Sequence, residues 1–154
     1  MAPRRTVVVV AILVLAACAR SSPCSVPPGR VVLHGSHGTA RLRVEVATTA
    51  TRRARGLMGR RSLPSDGGML FPFGGLTDAA FWMKDTRIPL AIAFYDERGR
   101  IVSVREMTPC RANPCARYRS SRPYVGAIEA NRGYFARHGI GIGDRVRPRV
   151  FGCA

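Results

Sequence analysis

One short stretch of the sequence, FWMKDTRIPL at residues 81–90, combines side chains that could bind a ligand. It contains Trp82 and Lys84, the only Trp and the only Lys of the chain. The chain has 25 basic residues, so the other 24 (25 − 1) are arginines. An ammonium is a compact point charge with three donors, whereas a guanidinium is a wide planar fork. A single Lys in so arginine-rich a chain therefore indicates a site that fits only the smaller group.

Two interpretations of this pair stay open. In the structural one, Lys84 pairs with Asp85, Glu129 or backbone carbonyls, while Trp82 fills the core. In the functional one, Trp82 and Lys84 line a pocket, in which Lys84 binds an anionic or carbonyl group and Trp82 stacks on the ligand. Strand alternation predicts that Trp82 and Lys84 share one face, which suits a pocket. A single aromatic–basic pair is nevertheless more often structural.

Residues for catalysis or metal binding are sparse. The sequence has no Ser/His/Asp order with a nucleophile elbow. The spacing of His34 and His37 in a loop is more typical of a solvated pair than of a metal site. Five carboxylates could supply an acid–base pair, but the sequence does not bring two of them together: Asp66, Asp78, Asp85, Glu129 and Asp144. We expect no metal, no cofactor, and a binding module rather than an enzyme.

The N-terminus has the features of an export signal. Arg4 and Arg5 precede an apolar run at residues 7–17, which is too short to span a bilayer and suits a signal peptide. The run ends in Leu-Ala-Ala-Cys, which resembles the lipobox of bacterial lipoproteins, where the Cys, here Cys18, carries the lipid. Ordinary cleavage after Ala19 is the alternative. We expect a signal peptide at 1–17, a lipidated Cys and flexible tether at 18–38, and a single domain at 39–154, held on the outer face of the cytoplasmic membrane.

The remaining cysteines are Cys24, Cys110, Cys115 and Cys153. Because their number is even, all four could pair in disulfides, which agrees with export to an oxidising compartment. Cys110 and Cys115 flank the turn-like sequence RANP and are natural partners. Cys24 and Cys153 would then join the two ends of the domain. The four are widely spaced and lack a CxxC pair, which argues against a zinc site.

The net charge of +16 would normally indicate a nucleic acid or an anionic surface as partner. The arginines are scattered, however, and their excess over Lys is typical of a biased base composition, so we expect no nucleic-acid function. Loss of the two leader arginines leaves 16 − 2 = +14, which an anionic membrane surface attracts. The expected partners are the membrane, through the lipid anchor, and an anionic lipid, a wall polymer or an envelope protein.

Short strands joined by Gly and Pro turns dominate the predicted elements. Alternating Leu42, Val44 and Val46 predict a half-buried strand, and a short helix follows it from a Thr cap to Gly56. A second helix is expected from an Asn131 cap to Gly139. Further strands are expected at 31–34, 68–73 (an edge strand because of its Pro), 80–84, 90–95, 101–107, 124–129 and after residue 144. The pattern predicts a mainly β fold: a compact antiparallel β-sandwich or barrel with one or two short helices.

Several ungapped stretches resemble, in order and spacing, the domain of unknown function 192 (DUF192) family of bacteria and archaea. They are GLMGRRSLP, GMLFPF, FWMKDTRIPLAIAFYDERGRIVSV and GIGDRV, and the likeness runs from about Leu42 to Val146. The resemblance implies a jelly-roll-like β domain, often exported, with no established reaction. Asp85 stands where the family more often has Asn, and Ala91 where it usually has Asp. A catalytic or metal-binding Asp of relatives at position 91 would therefore be missing here.

Matches to these motifs give the candidate ligand-binding residues: Trp82, Lys84, Thr86, Glu129 and Arg60. We expect a lipid-anchored, extracytoplasmic binding or accessory domain of the cell envelope, for a small anionic or glycan ligand or for an envelope protein. The first alternative is a hydrolase-like envelope enzyme that uses Lys84 with a nearby carboxylate. The second is a structural lipoprotein whose basic face holds anionic polymers.

Overall fold

The computed structural model describes residues 28–150. The predicted signal peptide and the lipid attachment predicted at Cys18 lie outside the described residues, as do Cys24 and Cys153. Within residues 28–150, neither helix is long and apolar enough to cross a membrane.

Strands make up most of the described chain, and two short helices interrupt them. In chain order the elements are β1 (Pro28–Gly35), β2 (Gly38–Val46), α1 (Ala50–Arg55), β3 (Gly67–Thr77), β4 (Phe81–Trp82), β5 (Leu90–Tyr95), β6 (Ile101–Met107), β7 (Arg117–Tyr118), β8 (Tyr124–Asn131), α2 (Tyr134–Arg137) and β9 (Arg145–Val150). The folded domain thus includes β1, which starts within the stretch predicted as the tether.

Seven strands form one sheet in the order β6-β5-β8-β3-β2-β1-β9, and β4 pairs with β7 in a separate two-stranded sheet. All neighbouring strands run antiparallel except β2 and β3, which run parallel. The connection between these two strands, which contains α1, therefore crosses from one end of the sheet to the other. The sheet does not close, but its edges meet at one end, where the amide of Val146 on β9 donates to the carbonyl of Gly99. This mainly β, sandwich-like fold is the class that the sequence predicts.

Apolar side chains cover both faces of the large sheet, since successive strand residues point to opposite sides. On β5, Ala91 and Ala93 pack in a core together with residues of β1, β2 and β9; we call this side the inner face. Leu90, Ile92 and Phe94 pack on the other side, the outer face, beneath residues from the α1–β3 connection and from β4. The outer face is therefore buried only where these segments cover it.

The structure confirms several local predictions and explains their physical cause. β2 buries every second residue, as its alternation predicts. The hydroxyl of Thr49 caps α1 by accepting from the amide of Arg52 at 3.2 Å. Gly56 ends the helix with φ of 46°, a conformation that favours glycine. The disulfide predicted between Cys110 and Cys115 is present, with an S–S distance of 2.04 Å.

Two local predictions are wrong. β3 is a central strand between β2 and β8, although Pro72 indicates an edge. The β2 ladder ends at the pair Val46 and Leu70, so Pro72 lies beyond it and its missing N–H costs no bond on that side. Asn131 does not cap α2; its side-chain amide donates to the carbonyl of Pro64 at 2.7 Å, and Gly133 precedes the helix without a side-chain cap.

Candidate functional site

The most unusual group of the outer face is the carboxyl of Glu129 at the centre of β8. Its cross-strand neighbours are Met69 on β3 and Ile92 on β5, so the side chain rises from the middle of the sheet. Glu129 is only 4% exposed. Within residues 28–150, no hydrogen-bond donor or cation pairs with its carboxyl, and burial alone raises its pKa to about 8. A lone carboxyl in this position is costly to keep charged and is therefore mostly neutral at pH 7.

Glu129 opens onto a small cavity of about 20 Å³. Its walls are the aromatic rings of Phe71, Phe81 and Trp82, the side chain of Thr86, and the end of α1. Such a volume accommodates one water-sized group. The cavity can thus accept a single hydroxyl, carbonyl or water oxygen, and the neutral carboxyl can both donate a hydrogen bond to it and accept one from it.

Thr86 is positioned by a turn that follows β4. The amide of Thr86 donates to the carbonyl of Met83 at 3.2 Å, and its hydroxyl donates to the carbonyl of Lys84 at 3.3 Å. Asp85, the third residue of this turn, has φ of 54°. Asn and Asp tolerate that left-handed conformation better than other residues with a side chain. The choice between Asp and Asn at position 85 is therefore explained by the backbone, without a catalytic role.

One backbone hydrogen bond joins this turn to the loop that follows α1. The amide of Gly59 donates to the carbonyl of Asp85 at 2.9 Å. This bond holds the loop after Gly56 against the turn that carries Thr86, and both segments line the cavity. The two sequence motifs GLMGR and FWMKDT are thus brought together around Glu129.

Trp82 lines both this cavity and an open groove of about 410 Å³. Lys84, Arg117 and the disulfide loop residues 113–115 complete the groove. The guanidinium of Arg117 lies 4.5 Å from the centre of the Trp82 ring, and the ammonium of Lys84 lies 5.5 Å from it. Both distances are in the range of cation–π contacts. The groove therefore presents two cations beside one aromatic ring, which suits an anionic group.

The structural interpretation of Lys84 is not supported. Lys84 is exposed and, within the described range, forms no ion pair with Asp85 or Glu129. The predicted strand 80–84 is also shorter than expected, because β4 ends at Trp82 and Lys84 lies in the following turn. Lys84 and Trp82 nevertheless line one groove, as the functional interpretation expects.

Arg60 does not belong to this site. Its guanidinium pairs with the carboxylate of Glu45 on β2, and it borders a separate cleft next to α1. Of the five predicted ligand-binding residues, Trp82, Thr86 and Glu129 share the cavity, and Lys84 shares the groove with Trp82. Arg117 is the main residue that the sequence analysis missed, because the two-residue strand β7 that carries it is too short to give a periodic pattern.

Other chemistry is limited in the described part of the chain. No group of three or more His, Cys, Asp or Glu side chains there could hold a metal ion. Ala91 is fully buried on the inner face, so an Asp at this position would point away from Glu129. The hydroxyl of Ser103 is buried without a partner among these residues.

Comparison with known proteins gives a family and several similar solved structures, among them two crystal structures of bacterial proteins. One is a protein from Sinorhizobium meliloti 1021, described as a proposed transcription regulator; it is 35% identical, covers 81% of this chain and 96% of its own, and has a TM-score of 0.75. The other, a protein of unknown function from Novosphingobium aromaticivorans DSM 12444, is 32% identical, covers 86% and 94%, and has a TM-score of 0.72. No curated protein matches. The family model of DUF192, described as "Uncharacterized ACR", matches residues 9–148, and the chain therefore belongs to the DUF192 family.

Proposed function

We propose that this chain is a lipid-anchored, extracytoplasmic binding domain of the cell envelope, and that it binds a small acidic sugar where Trp82 lines both the cavity and the groove. The sugar ring would pack against the side chain of Trp82. Its carboxylate would bind Lys84 and Arg117 in the groove, and one of its oxygens would enter the cavity of Glu129. The lipid anchor at Cys18 and the signal peptide rest on the sequence.

The observation that carries this proposal is the lone carboxyl of Glu129. A largely buried carboxyl normally has a hydrogen-bond partner from the protein, from water or from a ligand. Glu129 has none within residues 28–150, yet it lines a cavity of the size of one oxygen. Such an arrangement is typical of a site whose partner is a ligand, because a ligand would supply the missing bond.

The charge of the site agrees with an anionic ligand. Burial keeps Glu129 mostly neutral at pH 7, since its pKa is raised to about 8. A neutral carboxyl does not repel a nearby carboxylate. Lys84 and Arg117 are exposed and have no acidic partner in the described range, so they are free to bind one.

The hydrolase alternative has less support. It needs Lys84 to act together with a carboxylate, but Lys84 is absent from the lining of the Glu129 cavity. Its sequence neighbour Asp85 is exposed and does not line that cavity either. A role as transcription regulator, the one proposed for the S. meliloti relative, would require the chain to stay inside the cell, and the predicted signal peptide argues against that location.

The test is a titration of the exported domain with sodium glucuronate and with glucose, followed by tryptophan fluorescence. Trp82 is the only Trp, so any change in emission reports this site. We expect saturable binding of glucuronate that is about ten- to a hundredfold tighter than that of glucose, because one charge-assisted bond is worth about 1.5–3 kcal/mol.

Matched variants separate the site from general charge. Lys84→Met should weaken glucuronate binding about tenfold, whereas Arg98→Met, which removes a charge from the exposed hairpin turn, should leave it unchanged. Equal losses in both variants, or no response to any acidic sugar, would contradict the proposal.

A further inference from the structure

A second feature of the outer face is a regular array of arginines on β9, β1 and β2. In antiparallel strands, directly opposite residues point to the same side. The pairing of the three strands therefore places three rows side by side: Arg149–Arg30–Arg43, Arg147–Val32–Arg41 and Arg145–His34–Thr39. We call these nine residues the basic lattice. All of them are exposed except the half-buried Val32.

The lattice is almost free of compensating charge. Arg43 pairs with Asp66 at 2.8 Å. The guanidinium groups of the other five arginines form neither an ion pair nor a hydrogen bond with any residue from 28 to 150. Neighbouring strands lie about 4.8 Å apart and alternate residues about 6.8 Å apart along a strand. Six positive charges are thus concentrated on a sheet surface of roughly 10 by 14 Å.

We propose that the basic lattice is the surface with which the domain lies on an anionic membrane. This inference rests on the proposed lipid anchor for its geometry. β1, the middle strand of the lattice, begins at Pro28, ten residues (28 − 18) after Cys18. A fully extended chain of that length spans at most about 35 Å, so an anchored lattice stays close to the lipid surface. Tethering converts docking into an intramolecular step and strengthens it without new contacts.

The composition of the lattice favours lipid headgroups over nucleic acid. Proteins that bind single-stranded nucleic acid combine basic residues with aromatic rings on which the bases stack. The lattice contains no Phe, Tyr or Trp. A surface of arginines without aromatic rings supplies charge and hydrogen-bond donors for phosphate groups, which is what an anionic headgroup layer requires.

The experiment uses the chain from residue 19, made without lipid, so that binding depends on the protein surface alone. Both cores lie within residues 28–150, and this form therefore keeps the fold. Sedimentation with vesicles of about one-third phosphatidylglycerol is compared with pure phosphatidylcholine vesicles, at about 0.15 M and about 1 M salt. We expect binding only to the anionic vesicles and only at the lower salt.

A triple variant removes part of the lattice: Arg41→Gln, Arg147→Gln and Arg149→Gln. Each basic residue near an anionic surface contributes about a factor of five, so affinity should fall on the order of a hundredfold. The matched control carries Arg61→Gln, Arg98→Gln and Arg122→Gln. It has the same net charge, and its three arginines are exposed and lie outside the lattice. The control should bind like the unmodified chain.

Three results would overturn the inference. Equal losses in the two triple variants would show that net charge, not the lattice, attracts the membrane. Absence of vesicle binding would exclude a membrane-docking surface, and binding of a random-sequence oligonucleotide in its place would assign the lattice to nucleic acid. The glucuronate response of Trp82 is measured in the same samples, so failure of the lattice is distinguishable from failure of the sugar site.

Discussion

Replacing Glu129 by Gln should stabilise the domain in a pH-dependent way. The pKa of this carboxyl is about 8 in the folded chain and 4.5 in its ordinary state. Between these pH values the folded protein binds one proton more than the unfolded protein, so unfolding releases a proton and stability falls as pH rises. Gln keeps the shape and the neutral charge of the protonated acid and removes this dependence.

The magnitude follows from the pKa difference. A pKa difference of one between the folded and the unfolded chain corresponds to about 1.4 kcal/mol of unfolding free energy. The Glu129→Gln variant should therefore equal the unmodified chain near pH 4.5, exceed its unfolding free energy by about 3 kcal/mol at pH 7, and exceed it by about 5 kcal/mol above pH 8. The full effect is expected because Glu129 is only 4% exposed.

Urea denaturation followed by Trp82 fluorescence measures these differences between pH 4.5 and pH 8.5. Glu97→Gln is the matched control, since Glu97 is exposed in the turn between β5 and β6 and forms no ion pair within residues 28–150. A Glu129→Gln curve parallel to that of the control would refute the reasoning. So would a variant that is less stable than the unmodified chain at pH 8.

Three further predictions concern the fold around the site. Lys84→Met should lower the unfolding free energy by less than about 1 kcal/mol in urea denaturation, because Lys84 is exposed, forms no ion pair within residues 28–150 and loses only its contact with the Trp82 ring; a loss of several kcal/mol would contradict this. Gly126→Ala should cost at least about 1–3 kcal/mol, since a Cβ there would overlap the ring of Tyr95, whereas Gly75→Ala, with open space around it, should cost far less. Equal melting temperatures would contradict this contrast. Cys110→Ser should lower stability by about 2 kcal/mol, the value expected for a short loop, and an unchanged melting temperature would show that the disulfide does not constrain the unfolded chain.

The fold was largely predictable because successive side chains of a strand point to opposite faces of the sheet, which gives buried residues a period of two. Leu42, Val44 and Val46 are buried as that period requires. The central position of β3 was not predictable, because Pro72 is acceptable there only where the β2 ladder has already ended. The place where a neighbouring strand ends is a tertiary property, and local sequence does not contain it.

The site was predictable only in part. The family motifs predicted Trp82, Thr86 and Glu129 as ligand-binding residues, and all three line one cavity in the structure. The isolation of Glu129 depends on β3 and β5, which flank it with Met69 and Ile92. Nothing in the sequence around Glu129 indicates those neighbours. The sequence likewise predicts the strands that carry the basic lattice, but only the pairing of β1 with β2 and β9 aligns its rows.

The most direct test of the site is a measurement of the pKa of the Glu129 carboxyl by carbon-13 NMR. The side-chain carboxyl carbon is followed from pH 4 to pH 9 in the unmodified chain, and Glu129→Gln identifies its signal. We predict a midpoint of about 8, which glucuronate raises further, because a bound carboxylate disfavours a second negative charge. A midpoint near 4.5 that is insensitive to glucuronate would contradict the neutral, buried carboxyl on which the proposed site depends.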